Sequence, residues 1–103
     1  MGFFSNLFGG GAAANLQSII DEGAFLVDVR TPGEFAGGKV KGSVNIPLDR
    51  ILTDIDKFKN KKNIIVFCRS GNRSSQAKSI LEQHGIAHVT NGGTWEAVKQ
   101  YVK

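Results

Sequence analysis

The chain has 103 residues, 41% of them hydrophobic and 21% charged, and its 13 basic and 9 acidic side chains give a formal charge of +4. This describes one domain with one modest core and excludes wholesale disorder; no apolar run reaches the ~20 residues needed to cross a bilayer. The positive balance suits small anionic substrates but is too weak to indicate nucleic acid. One cysteine, Cys68, excludes an internal disulfide framework and a multi-cysteine zinc site within one chain, and points to a reducing, cytoplasmic setting.

Residues 1–14 differ from the rest. Phe3, Phe4, Leu7 and Phe8 lead into a triple glycine and a triple alanine, read as a tail with a glycine hinge ahead of a domain over residues 15–103. The stretch lacks the positive flank of a secretory signal, and Asn6 stands where myristoylation needs Ser or Thr. A short docking segment is the alternative reading, weakened for an anionic lipid surface by the absence of any lysine or arginine.

From Asn15, helical and strand patterns alternate. Leu16, Ile19 and Ile20 predict a helix capped by Asn15 and ended by Gly23. Phe25 to Val29 reads as a buried strand carrying Asp28 near its end. A turn at Thr31-Pro32-Gly33 precedes one helical turn through Glu34 and Phe35. Ser43 to Ile46 predicts a second strand, and Leu48, Ile51, Leu52 and Ile55 an amphipathic helix. The four lysines of residues 57–62 read as a solvated helix end and loop. Asn63 to Phe67 is the strongest strand, with Cys68 at its carboxyl end. Ala77, Ile80, Leu81 and His84 mark a helix stopped at Gly85, Ile86 to Val89 reads as a further strand, and Trp95, Val98 and Val102 line a terminal helix. The order argues an α/β fold with a parallel sheet and helices on both faces.

Chemistry concentrates in Cys68-Arg69-Ser70-Gly71-Asn72-Arg73-Ser74, between a central strand and a helix expected to start near Ser74. In open α/β sheets ligands bind at the carboxyl ends of strands, where helix amino termini offer unpaired N–H groups and a positive dipole end. A cysteine placed there has its pKa lowered from ~8.5. Arg69 and Arg73 add positive charge, and Gly71 permits a backbone that turns several N–H groups inward. A buried structural cysteine needs no such loop, so Cys68 is read as a nucleophile. Asp28, Arg30 and Glu34 are read chiefly as structural support: an Arg30–Glu34 ion pair, with Asp28 bonded to nearby backbone. Arg30 as a substrate-binding cation is the alternative. His84 and His88 are read as structural, and no metal or cofactor is expected.

These segments resemble the single-domain rhodanese (thiosulfate sulfurtransferase) family. The Cys68 to Ser74 loop resembles its active-site loop, Leu26 to Phe35 its first signature, and Gly92-Gly93-Thr94-Trp95 its closing one. Gly42 to Pro47 follows at the expected place. Lys39 stands where the family usually carries histidine. The resemblance spans residues from about 15 to 103. It implies a rhodanese-like fold, a four- to five-stranded parallel sheet, with a fifth strand conceivable at Ala12 to Ala14. It also implies a double displacement, in which Cys68 takes the outer sulfur of thiosulfate as a persulfide and passes it to a thiophilic acceptor, cyanide or a thiol. Cys68 carries over as nucleophile, the N–H groups of residues 69–74 as the persulfide cradle, and Arg69 and Arg73 as the cations that attract the donor. A monomer is expected.

Three other functions compete. A persulfide carrier without turnover would use the same loop. A regulatory rhodanese-like module usually lacks the cysteine. A cysteine phosphatase or arsenate reductase needs Cys-x₅-Arg, whereas four residues separate Cys68 from Arg73 and Ser74 takes the arginine's place.

Overall fold

The computed structural model describes the backbone of residues 10–103 and the side chains of residues 16–103. The elements in chain order are α1 (Gly10–Asp21), β1 (Phe25–Asp28), α2 (Pro32–Ala36), β2 (Val44–Asn45), two short 3₁₀ turns (Leu48–Arg50 and Ile55–Phe58), β3 (Ile64–Cys68), α3 (Asn72–Gln83), β4 (Val89–Thr94) and α4 (Trp95–Lys99). Among the described residues the sheet has four strands in the order β2-β1-β3-β4, and every pairing is parallel.

Side-chain alternation divides the core between the two faces of this sheet. Val27 and Val29 of the β1 segment and Ile64, Val66 and Cys68 of β3 face one side, where they meet Ile51, Phe58, Ala77 and Leu81. Leu26, Ile65 and Phe67 face the other, against Val98, with Leu16, Ile19 and Ile20 of α1 packed on them. All five residues of β3 are buried, as a central parallel strand covered on both faces requires.

Four expectations are corrected. Helix α1 begins at Gly10, so Asn15 lies inside it and not at its amino end. Ala12 to Ala14 are helical and supply no fifth strand; alanine is the best helix former, and the packed face of α1 favours extension across Gly10 and Gly11. The remainder of the expected tail, residues 1–9, lies outside the described residues.

Leu48 to Ile55 forms no continuous amphipathic helix. Its bonds run mostly i to i−3, as in Ile51 N to Leu48 O at 3.3 Å and Ile55 N to Leu52 O at 3.3 Å. The β-branched Ile51, Thr53 and Ile55 disfavour a regular α-helix, and the tighter winding buries Ile51 while leaving Leu52 exposed.

The last strand is Val89–Thr94, not Ile86 to Val89. His88, with φ 60°, turns the chain into it. Thr90 to Gly93 shows no apolar alternation and is held in the sheet by its backbone pairing with β3.

That pairing carries a bulge. Val66 pairs with Asn91 and Phe67 with Gly93, so Gly92 is the extra residue. A Cβ on Gly92 would lie 2.7 Å from Val98 Cγ2 and 2.9 Å from Ile65 Cγ2, which only glycine avoids. Gly92→Ala is expected to overpack this contact at a cost of about 1–3 kcal/mol, lowering the melting temperature by roughly 5–20 °C in a thermal scan.

Candidate active site

The strand order reverses between β1 and β3, since the chain leaves β1 for β2 on one side and returns to β3 on the other. The crevice outside the carboxyl ends of β1 and β3 is therefore the place where such a sheet binds ligands. Cys68 ends β3 there, and Asp28 and Arg30 end the β1 segment beside it.

The Cys68 side chain is fully buried, and its sulfur sits among hydrogen-bond donors. Gly71 takes φ 95°, a left-handed conformation natural to glycine, and donates its N–H to Sγ at 3.0 Å. Helix α3 starts at Asn72, two residues earlier than expected, so Ser74 lies in its first turn and donates its N–H to Sγ at 3.4 Å. The Ser74 hydroxyl, also buried, lies 3.5 Å from Sγ. Burial alone pushes the thiol up. The Ser74 hydroxyl and the N–H groups of Ser74, Ser70 and Gly71 outweigh it, and the net shift is downward.

The arginines are divided between structure and solvent. Arg30 is buried and bonds Asp28 in a fork, Nη2 to Oδ2 at 2.7 Å and Nε to Oδ1 at 2.9 Å. Its Nη2 also donates to the Gly38 carbonyl, and its guanidinium lies over the Trp95 ring at 4.6 Å. Arg30 thus joins β1, the α2 region and α4. The expected Arg30–Glu34 pair is not formed; Arg30 is held by these contacts and also lines the neighbouring cleft.

Glu34 pairs instead with Arg73 in bidentate fashion, at 2.7 and 3.1 Å. The same carboxylate closes the capping box of α2 by accepting from Thr31 N at 3.0 Å. Asn45 adds a further tie, its Nδ2 donating to the carbonyls of Asp28 and Arg30 at 2.9 Å each.

Arg69, Ser70 and Asn72 are exposed. Arg69 has no ion-pair partner among the described residues and borders a cleft of about 300 Å³ with Glu34, Gly38, Trp95 and Glu96. A second cleft of about 360 Å³, between Thr31, Leu48, Asp49 and Arg73, flanks the other side of the loop. His84 and His88 line a separate hollow at the amino ends of β3 and β4, opposite Cys68. Among the described residues no cluster of His, Cys, Asp and Glu could hold a metal ion, and no helix is long and apolar enough to cross a membrane. Lys39, exposed, rests on the Phe35 ring at 4.9 Å, at the surface of α2.

One polar residue at the site escaped the sequence reading. Asn91 accepts from the Ser74 hydroxyl at 2.7 Å and from Gly93 N at 2.9 Å, while its Nδ2 donates to the Gly71 carbonyl at 3.3 Å. An asparagine before two glycines reads as a turn, and nothing local announces that a bulge aims it at the loop after Cys68.

The Glu34–Arg73 tie makes a pH prediction. Arg73 beside it, with the Thr31 N–H, lowers Glu34 from the ordinary 4.5 to about 2. A carboxylate depressed on folding stabilises the protein fully above its unfolded pKa and loses that contribution as pH falls through the folded one. The stability gap between wild type and Glu34→Gln is therefore expected to be constant above about pH 5 and to close between pH 4.5 and 2. Denaturant melts across that range measure it.

Comparison with known proteins agrees with this geometry. The chain is 39% identical over 69 residues to thiosulfate sulfurtransferase PspE of Escherichia coli, covering 65% of this chain and 66% of that protein. It is 36% identical over 70 residues to a sulfurtransferase of Allochromatium vinosum, covering 68% and 65%. The chain thus spans just under two thirds of the length of these relatives. The crystal structure of a rhodanese-related protein from Thermoplasma volcanium superposes with a TM-score of 0.71 at 29% identity, covering 88% of this chain and 91% of that one. Residues 12–100 match the rhodanese-like domain family, and the chain belongs to that family.

Proposed function

We propose that this protein is a thiosulfate sulfurtransferase that works through a persulfide on Cys68. The observation that carries this reading is the cradle of Cys68, a buried sulfur that accepts N–H groups from Gly71 and Ser74 and touches the Ser74 hydroxyl. Such a site favours an anionic sulfur without a neighbouring base, and the lowered thiol pKa accords with it.

In the first half-reaction the Cys68 thiolate attacks the outer sulfur of thiosulfate. A new bond forms between Sγ and that sulfur, the bond from it to the sulfonate sulfur breaks, and sulfite leaves with the bonding pair. The site then holds a persulfide anion. In the second half-reaction cyanide or a thiolate attacks the terminal sulfur, forming thiocyanate or an acceptor persulfide and returning the Cys68 thiolate.

Arg69 is the cation available to the incoming dianion. Arg73, engaged by Glu34, braces the loop and offers less of its charge to the donor than the sequence suggests. The same engagement and the four-residue spacing tell against phosphate chemistry, which needs an arginine turned into the cradle. A persulfide carrier would load in the same way and differ by failing to turn over with cyanide or small thiols.

Thiosulfate treatment without reductant should add the mass of one sulfur atom to the wild-type protein and nothing to Cys68→Ser, with cyanide removing it as thiocyanate. Turnover in a well-folded Cys68→Ser protein, or no sulfur on the wild type, overturns the reading.

Arg69→Ala is expected to raise the KM for thiosulfate roughly two- to fivefold, the size of an exposed ion pair, with kcat little changed. The gap between the two enzymes should narrow as salt rises, because an exposed charge is screened over ~8–10 Å. Steady-state kinetics at low and high ionic strength test both statements.

A further inference from the structure

The Ser74 hydroxyl has more acceptors than hydrogens. Its one hydrogen can go to Asn91 Oδ1 at 2.7 Å, to the Gly71 carbonyl at 3.1 Å or to Cys68 Sγ at 3.5 Å. The Asn91 amide is held in one orientation from both ends, since Gly93 N–H donates to its Oδ1 and its Nδ2 donates to the Gly71 carbonyl. Its oxygen therefore faces Ser74 as a standing acceptor, at the shortest of the three distances. The bulge at Gly92 is what turns Asn91 toward the loop.

We propose that Asn91 is a positioning residue that competes with Cys68 for the single hydroxyl hydrogen of Ser74 and so governs how readily the thiol gives up its proton. While Cys68 is a thiol, Ser74 donates to Asn91 and its oxygen lone pair receives the Sγ–H. When the thiol proton leaves for solvent, the Ser74 hydrogen turns from Asn91 Oδ1 to the thiolate. Asn91 Oδ1 keeps the Gly93 N–H and is not orphaned. No covalent bond other than S–H is broken. Each deprotonation thus exchanges a short bond to Asn91 for one to sulfur, and Asn91 holds the thiolate less stable than Ser74 alone would make it. A thiolate held less tightly is more basic and the better nucleophile once formed.

The charged groups around Cys68 do not supply this effect. Arg73 of α3 is within electrostatic reach of the sulfur and is neutralised by Glu34 of α2; Asp28 at the end of β1 and Arg30 just beyond it neutralise each other. Arg69 of the loop is exposed, and β4 carries no titratable side chain.

The proposal rests on the sulfurtransferase reading for its use but not for its test. The measurement is the pH dependence of Cys68 alkylation by iodoacetamide in the wild type, Asn91→Ala, Asn91→Asp, Ser74→Ala and the Ser74→Ala/Asn91→Ala pair. Asn91→Ala leaves the Ser74 hydrogen only the longer bond to the Gly71 carbonyl, at 3.1 Å, to give up, and is expected to move the midpoint down by roughly half a unit to one unit. Asn91→Asp grips that hydrogen harder and should move it up. In the Ser74→Ala background the Asn91→Ala shift should vanish.

Asn91 is exposed, so these changes disturb little packing. If Asn91 merely ordered the loop, its removal would loosen the N–H cradle and raise the midpoint. An unchanged or raised midpoint in Asn91→Ala, or a downward shift that persists without Ser74, overturns the proposal. Failure of wild type to take sulfur from thiosulfate would overturn the sulfurtransferase reading and leave these midpoints untouched, so the two failures are distinguishable.

Discussion

A cysteine sulfur with no exposure to solvent, at the end of a strand buried on both faces, sets the terms for the rest of the site. Ionising a buried thiol costs desolvation, which only nearby donors can offset. The donors here are backbone N–H groups that become available because β3 stops at Cys68 and α3 starts at Asn72. The first turn of a helix has no internal partners for its N–H groups, and the left-handed Gly71 turns one more onto the sulfur. The short loop, the glycine and the helix start are one device: lengthen the loop or straighten Gly71, and the sulfur is left buried without its bonds.

Two ion pairs brace the elements around that loop. Asp28–Arg30 is almost wholly buried, an arrangement that is costly unless every hydrogen-bonding group finds a partner. Here the carboxylate is bonded by the guanidinium and by the Arg30 N–H, the guanidinium also reaches the Gly38 carbonyl, and among the described residues no buried side-chain polar atom lacks a partner. Glu34–Arg73 then links the capped α2 to the first turn of α3. Two of the three arginines near Cys68 are in this way spent on geometry. The sulfur is left to positioned N–H dipoles more than to arginine charge.

The central strands and the candidate site after β3 were legible because their signals are local. An apolar run such as Ile64 to Phe67 has nowhere to go but a buried strand, and a cysteine followed by a basic, glycine-bearing loop has few structural reasons to exist. What escaped depends on partners distant in sequence. Arg73 and Glu34 are 39 residues apart, and proximity along the chain favoured Arg30 for Glu34 instead. Strand β4 lacks apolar alternation and owes its place to β3, so the pattern put the strand three residues early. Leu48 to Ile55 has helical spacing, but its β-branched residues and its packing under the sheet select 3₁₀ turns. Asn91 reaches its role only through a bulge, a feature of pairing between strands that leaves no mark in one strand's composition.

The neutrality of the cradle suits the chemistry proposed for it. Before attack the site holds a thiolate; after sulfite leaves, it holds a persulfide anion. The charge is the same, but the terminal sulfur lies about 2 Å from Sγ, the length of one S–S bond. A single fixed cation aimed at Sγ would stabilise the first state at the expense of the second. N–H groups spread along the loop from Ser70 to Ser74, several of them already on Sγ, are the kind of donor set that suits both. In the proposed reaction the exposed Arg69 would act where charge does change, on the approach of a dianion and the departure of sulfite. Screening keeps that attraction modest, and a modest attraction does not trap the product.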